Sequence, residues 1–68
     1  MRGFRRCVGS RVVLVSDDIR VRGRVGAVFG GVLLLREVEA IDDTVGVTRV
    51  DGELLVPVAR VAYVQVIE

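Results

Sequence analysis

The chain has 68 residues, a formal net charge of +1, one cysteine and no histidine. A chain of this length is expected to form one domain, spanning residues 1–68, that buries only about 60% of its unfolded surface and is marginal alone. One cysteine excludes an internal disulfide and the lack of histidine disfavours a metal site, so association with further copies is the expected source of additional stability.

The apolar content points to an all-β fold. Hydrophobic residues make up 51% of the chain but aromatic residues only 4%, so most of the apolar side chains are valine and leucine, which suit a pleated, half-buried surface. All ten basic residues are arginine, and the near-neutral balance confines any basic surface to a local patch. Arg11 and Asp17 interrupt the first apolar run, so we expect a cytoplasmic protein without membrane contact.

The predicted elements follow the chain from an N-terminal segment to five strands. Residues 1–10 form either one helical turn or a loose arm, ending at the break Gly9-Ser10, and residues 11–67 form the barrel. A turn is expected at Asp17-Asp18, because aspartate side chains bond to nearby backbone groups. The predicted strands are 11–16, 19–29, 32 to about 41 with 45–50 available to extend the ladder, 53–58 and 61–67.

The second strand and the third are predicted to form one long bent hairpin over Gly30-Gly31. Closing the turn there pairs Phe29 with Val32. The same register makes two opposite-charge pairs, Arg24 with Glu37 and Arg22 with Glu39. The other face collects apolar residues with Arg36 as the exception: Ile19, Val21, Gly23, Val25, Ala27, Phe29, Val32, Leu34, Val38 and Ala40. Towards the tip the charged face also turns apolar, at Val28, Leu33 and Leu35, so both faces of the tip are expected to be covered.

Turn signals organise the last third of the chain. Asp51-Gly52 is the strongest hairpin signal in the sequence. Pro57 lacks a backbone donor, so it marks a strand end, an edge or a bulge. Ala59-Arg60 leaves room for a single tight turn before the last strand.

Two motifs in the right order resemble the Sm-like family, which includes the bacterial Hfq branch. The first is Val21-Arg22-Gly23-Arg24-Val25, then Val28, then the run VLLL at 32–35. The second is GELLVPVARVAYV at 52–64. The resemblance covers roughly residues 9–67, and the spacing of the first motif is closer to the Hfq branch. It implies a small, strongly bent five-stranded barrel that assembles into a ring of six or seven copies through strand pairing, and that binds single-stranded, usually uridine-rich RNA.

The residues of the family's uridine pocket do not carry over. Phe29, Gly31 and Leu33 stand where Sm proteins place an acidic residue, an aromatic or histidine, and an asparagine, and Pro57-Val58 replaces Arg-Gly. Base recognition needs stacking planes and amide or guanidinium donors. We therefore expect the usual uridine pocket to be absent.

Arginines are the remaining candidates for contacting nucleic acid. Arg2, Arg5 and Arg6 have no acidic residue nearby in sequence, so they either contact a polyanion or belong to a disordered terminus. Arg36 and Arg60 either line a ring opening or serve as a rim residue and a turn cap. A further stripe, Arg20, Arg22 and Arg24, has predicted acidic partners that favour a solvated salt-bridge face.

Two other side chains have competing interpretations. Phe29 is in phase with Val25 and Ala27, which favours a core position, although it could stack on a base if its loop faces the pore. Cys7 is expected to be a small buried hydrophobe rather than a reactive thiol, since no histidine is present to activate it.

Three functional hypotheses remain open at this point. The first is a homo-oligomeric Sm-like ring that binds RNA or another single-stranded nucleic acid through arginine. The second is a ring that has kept its assembly surface and serves as a scaffold or protein-binding module. The third is a monomeric SH3-like barrel. No catalytic motif, cofactor motif or metal site is recognisable, so we do not expect an enzyme.

Overall fold

The computed structural model describes residues 2–17 and 19–67 and is almost entirely antiparallel sheet. A four-residue helix, α1 (Arg2–Arg5), precedes the sheet, which confirms the helical turn, and a 3-10 turn (Val58–Arg60) precedes the last strand. The strands are β1 (Arg11–Ser16), β2 (Ile19–Phe29), β3 (Val32–Asp42), β4 (Gly46–Arg49), β5 (Leu54–Pro57) and β6 (Val61–Val66). Asp17 takes the turn conformation expected there, with φ 48°, whereas Asp18 lies outside the described residues.

The strand order is β4-β3-β2-β1-β6, with β5 also paired to β3. The sheet bends around a core of eight buried aliphatic side chains: Val12, Leu14, Val21, Val25, Leu33, Leu35, Val38 and Val56. Phe4 of α1 and Cys7, which follows α1, pack against this core from one side. Cys7 is partly buried rather than fully buried as expected. The all-β, strongly bent barrel predicted from the sequence is confirmed.

Two compensating bulges change the predicted register of the β2–β3 hairpin in its middle. Gly26 is an extra residue on β2, because Val25 and Ala27 face the consecutive residues Leu35 and Leu34. Glu37 supplies the extra residue on β3 and has φ 53°. Since one bulge lies on each strand, they cancel, and the pairs Phe29–Val32 and Arg22–Glu39 are confirmed. Between the bulges Arg24 faces Arg36, so the predicted backbone pairing of Arg24 with Glu37 is wrong.

The bulges also decide which face of β3 is buried. The register without bulges placed Leu34 and Val32 on the core face and Leu33 and Leu35 on the other. Instead Leu33 and Leu35 are completely buried, and the extra residue at 37 allows Val38 to point inward as well. Arg36 is thereby exposed rather than set into an apolar face.

Phe29 is not a core residue, so that sequence-based interpretation is wrong. Its side chain is 51% exposed at the tip of the hairpin. The bulge at Gly26 shifts the phase of β2, so Val28 packs against the core and Phe29 points away. A side chain at position 26 would require the ends of the Leu34 and Arg36 side chains to move, because an added Cβ would lie 2.9 Å from Leu34 Cδ2 and 3.0 Å from Arg36 Nε.

The hairpin predicted at Asp51-Gly52 is absent. Both β4, within the segment 45–50, and β5, within the predicted fourth strand 53–58, pair with β3. They are two segments of one edge, interrupted at 50–53. The Val50 N–H still donates to the Val38 carbonyl at 2.9 Å, and Gly52 has φ 82°. The interruption lies opposite the Glu37 bulge, where β3 bends away from a straight partner.

Candidate assembly edges and nucleic-acid interface

Most arginines on the barrel are neutralised by carboxylates. The predicted partners of Arg22 and Arg24 are confirmed as ion pairs, and Arg36 and Arg60 are paired as well. The distances are 2.6 Å for Arg20–Asp43, 2.6 Å for Arg22–Glu39, 3.4 Å for Arg24–Glu37, 3.0 Å for Arg36–Glu53 and 3.5 Å for Arg60–Asp17. These exposed pairs stabilise the fold only weakly, but they reduce the charge that Arg36 and Arg60 can offer to a polyanion.

Arg5 and Arg6 differ from those arginines. Both are exposed, and within residues 2–17 and 19–67 neither forms an ion pair. The side chain of the third terminal candidate, Arg2, lies outside the described residues. The pair is held on the barrel because the adjacent Gly9 N–H donates to the Val25 carbonyl at 2.8 Å and Phe4 packs on the core. Arg5 and Arg6 are therefore an anchored basic patch.

The tip of the β2–β3 hairpin lies beside the end of β5. Gly30 and Gly31 both have positive φ, 52° and 74°, as a tight two-residue turn requires. The Gly31 carbonyl accepts a hydrogen bond of 2.8 Å from the Val58 N–H. Leu33 is 0% exposed, so it cannot contact a base from the position where the family has asparagine. Phe29 is an exposed aromatic ring at this tip, and the residues across from it on β3 and β5, Val32 and Pro57, are apolar.

The best-defined electrostatic contact is the Arg22–Glu39 pair. Arg22 donates to Glu39 Oε1 from Nε at 2.9 Å and from Nη2 at 2.6 Å. This hydrogen bonding lowers the pKa of Glu39 below its ordinary 4.5, and the positive charges of Arg22, Arg11 and Arg49 contribute in the same direction. Asp42 also has a lowered pKa, because the backbone N–H groups of Val45 and Thr44 donate to its carboxylate.

Replacement of Glu39 by glutamine is expected to reduce the loss of stability in acid. The pKa of Glu39 is lower in the folded chain than its ordinary value, so its contribution is complete above about pH 4.5 and lost as the pH falls through the lowered pKa. Thermal midpoints measured between pH 7 and pH 3 should fall less steeply for Glu39→Gln than for the unchanged chain. Asp42→Asn should also reduce the slope, because the pKa of Asp42 is lowered as well. Equal slopes for Glu39→Gln and the unchanged chain would contradict the assignment.

Among the described residues, no group of three or more His, Cys, Asp or Glu side chains is arranged to hold a metal ion. The paired aspartates 42–43 serve the β3–β4 turn instead. Asp42 accepts the Thr44 N–H at 2.7 Å and the Val45 N–H at 3.0 Å, and Asp43 pairs with Arg20.

The described strands leave two sheet edges without a partner, the outer side of the edge that β4 and β5 form together and the outer side of β6. The Ile67 N–H donates to the Arg11 carbonyl, so by alternation along an antiparallel ladder Val64 and Val66 direct their backbone groups away from β1. On β5 the hydrogen bond from the Val58 N–H to the Gly31 carbonyl fixes the same alternation. The N–H and C=O of Leu55 and the C=O of Pro57 therefore point away from β3. Pro57 thus lies at an edge, as its missing donor predicted.

These edge residues were not singled out by reasoning from the sequence. Leu55, Tyr63 and Val66 are 58%, 55% and 53% exposed, although their strands read as ordinary apolar runs. The available signal was Pro57, which indicated an edge but not which neighbours it left unpaired.

The barrel is similar to that of a heptameric archaeal Sm protein, with a TM-score of 0.82 and 21% sequence identity over 100% of both chains. The protein has an Sm-like fold. No family model and no curated protein matches the sequence at a significant level, so the Sm-like fold is established by structural similarity. The described part of the chain contains no helix of the length and apolarity needed to cross a membrane.

Proposed function

We propose that this Sm-like barrel assembles with copies of itself into a ring and that the ring binds single-stranded RNA through Arg5 and Arg6. The assembly step is supported by the two open edges, because a head-to-tail contact between β5 of one copy and β6 of the next satisfies both sets of backbone groups. The similar archaeal Sm protein is a heptamer. Cyclic closure with six or seven copies leaves no sheet edge at these strands.

The geometry of the two edges suggests how the copies pair. Leu55 on β5 and Val64 on β6 each direct one N–H and one C=O outward, and antiparallel pairing of these residues satisfies all four groups. Pro57 can still accept through its carbonyl. The exposed side chains of Leu55 and Val66 flank this seam, so the contact also removes apolar surface from water.

The observation that carries the RNA proposal is the contrast between paired and unpaired arginines. Five arginines each have a carboxylate partner: Arg20, Arg22, Arg24, Arg36 and Arg60. Arg5 and Arg6, adjacent in the chain, are exposed without one among the described residues, and Arg49, also exposed outside these ion pairs, stands alone opposite Glu39 on β4. A ring repeats Arg5 and Arg6 in every subunit and so concentrates positive charge on the side of the barrel that carries α1. Such a surface contacts phosphates with little sequence preference.

A double Arg5→Ala/Arg6→Ala variant is expected to bind RNA at least about tenfold more weakly at low salt. Each lost phosphate contact lowers the number of counterions that binding releases from the RNA, and this release drives the affinity. Fluorescence polarisation with a labelled single-stranded RNA of about 20 nucleotides measures this affinity, and the dependence of log K on log salt should become shallower. Arg20→Ala is the matched control, since Arg20 is already paired with Asp43. Unchanged affinity of the double variant in an intact ring would refute this RNA site.

A scaffold or protein-binding ring is the second candidate, and the tip of the hairpin favours it. Leu33 is completely buried and Pro57-Val58 supplies no guanidinium, so the positions of the family's uridine pocket have no recognition chemistry. Absence of RNA affinity in an assembled ring at low salt would favour this function over the first.

A further inference from the structure

A groove opens on the outer side of the sheet at the end of β1, where residues of the β1–β2 turn and of the β3–β4 turn both line it. Its volume is about 470 Å³. Val15 lies in its floor, with Arg20 opposite it on β2 and Tyr63 opposite it on β6. Because Leu14 belongs to the core, alternation along β1 directs Val15 and these two neighbours outward. We call this cavity the turn groove.

The floor of the turn groove offers apolar and aromatic surface. Ile19 and Ile41 lie beside Val15 in the lining. Ile19 is 44% exposed and Tyr63 is 55% exposed, so an aliphatic side chain and an aromatic ring are both open to water. An aromatic ring in this position can take the planar face of a guanidinium, and the aliphatic residues can cover the stem of a long side chain.

The rim of the turn groove is acidic. Asp17 belongs to the first turn, and Asp42 and Asp43 border the second. Arg20 is the one basic residue among the described residues of the lining, so carboxylates outnumber guanidinium groups there by three to one. Asp43 pairs with Arg20, and Asp17 pairs with Arg60, yet their side chains remain 90% and 59% exposed. Both carboxylates can therefore accept hydrogen bonds from a further donor.

The two ends of β1 carry opposite charge. Arg5 and Arg6 precede the strand, and the turn groove follows it. The six residues of β1 separate the two regions by about 20 Å. A polyanion attracted to the α1 side is repelled by the turn groove, so the charge of the groove is complementary to a cationic occupant.

We propose that the turn groove binds a basic, extended segment of a partner protein, with arginines against the acidic rim and an apolar side chain on the floor. Residues two apart in an extended segment point the same way, so the pattern Arg-x-Leu-x-Arg presents all three side chains to the groove. Arginine fits better than lysine, because a guanidinium stacks on an aromatic ring and donates to a carboxylate from two nitrogens at once.

This inference goes beyond the proposed function and requires neither RNA nor a ring, since one chain supplies all the residues of the groove. Pairing of β5 with β6 of the next copy extends the sheet sideways and leaves its face open. One groove is expected to bind weakly, with a dissociation constant on the order of 100 μM. A ring repeats the groove in every subunit, so a partner with several such segments would bind more tightly.

Fluorescence polarisation with the labelled peptide Ser-Arg-Ser-Leu-Ser-Arg-Ser at low salt tests the proposal. An Asp17→Asn/Asp43→Asn variant should bind this peptide at least about tenfold more weakly, because it removes the two exposed rim charges. Asparagine tolerates the positive φ of Asp17, so the turn is retained. Tyr63→Ala should weaken binding about fivefold through loss of the stacking surface. A peptide with glutamate in place of both arginines should not bind.

The matched controls remove the same chemistry elsewhere. Glu37→Gln/Glu53→Gln takes away two exposed, arginine-paired carboxylates outside the turn groove, and it should keep the peptide affinity. Phe29→Ala removes an exposed aromatic ring at the other end of β2 and should keep it as well. Light scattering checks that every variant has the particle mass of the unchanged chain. RNA affinity, measured in parallel, should not fall in the Asp17→Asn/Asp43→Asn variant, so failure of this inference is distinguishable from failure of the proposed function.

Three results would overturn the inference. The first is no measurable affinity of the unchanged chain for the arginine peptide at low salt. The second is equal weakening by the aspartate and the glutamate double variants, which would show attraction to the overall charge and not to the groove. The third is a peptide affinity that Tyr63→Ala leaves as unchanged as Phe29→Ala does.

Discussion

A Leu55→Pro variant is expected to migrate as a single subunit under conditions in which the unchanged chain migrates as a ring. The Leu55 N–H faces the open edge of β5, so proline removes a seam donor and places its ring where the neighbouring strand would approach. The β5 ladder to β3 uses the backbone of Leu54 and Val56 and remains intact. With Pro57 two residues on, this edge would then lack two of its donors.

The cost at each seam is on the order of 1–3 kcal/mol, since the partner carbonyl is left buried without a donor. Every seam of the ring carries the same defect, so the loss is multiplied by the number of subunits. Light scattering or native mass spectrometry measures the outcome. Val47→Pro is the matched control, because Val47 also directs its N–H outward from the same sheet edge, on β4, and is 53% exposed. Persistence of the ring in Leu55→Pro, or its loss in both variants, would contradict the proposed seam.

Replacement of Leu35 by alanine is expected to unfold much of the population at room temperature. Leu35 is 0% exposed and belongs to the central cluster of the barrel. Removing a buried leucine side chain to Cβ costs about 2–5 kcal/mol, because both transfer energy and packing are lost. A domain of this size is stable by only about 3–10 kcal/mol in total, so one such cavity removes a large fraction of its stability.

Leu34→Ala is the control for this prediction. Leu34 is the preceding residue and has the same chemistry, but it is only partly buried, on the outer surface of the sheet. Its replacement should cost less than about 1.5 kcal/mol in urea unfolding, because less apolar surface is returned to water. The comparison also tests the bulges, since a register without them would bury Leu34 and expose Leu35. A larger loss for Leu34→Ala than for Leu35→Ala would contradict the register of the structure.

Much of the local structure could be predicted because its causes are local. The alternation over 11–16 and 19–29 corresponds to β1 and β2 at both ends, and the glycine pair 30–31 marks the turn between β2 and β3. The Arg22–Glu39 pair followed from counting back from that turn. Pro57 was correctly assigned to an edge or strand end, because a residue without N–H cannot occupy a central strand.

The wrong predictions share one physical reason. Alternation assumes an unbroken ladder, and each bulge reverses the face of every residue that follows it. The bulge at Gly26 therefore moved Phe29 out of the core, and with it the facing residues of β3 as far as Arg36, whereas the bulge at Glu37 returned Val38 to the core. Asp51-Gly52 has the composition of a hairpin turn, but the strands on either side of it, β4 and β5, both pair with β3 instead of with each other.

For the candidate site, the sequence identified the residue types but not their partners. Arg2, Arg5, Arg6, Arg36 and Arg60 were equivalent candidates by composition. Only the structure separated Arg5 and Arg6 from Arg36 and Arg60, because Glu53 and Asp17 come from strands and turns distant in the chain. The sequence by itself determined an all-β barrel with a long bent hairpin, since periodicity and turn chemistry act between near neighbours. Which charges remain unpaired, which strand edges stay open and which apolar face stays outside were decided by the tertiary structure, because each depends on contacts between residues far apart in the chain.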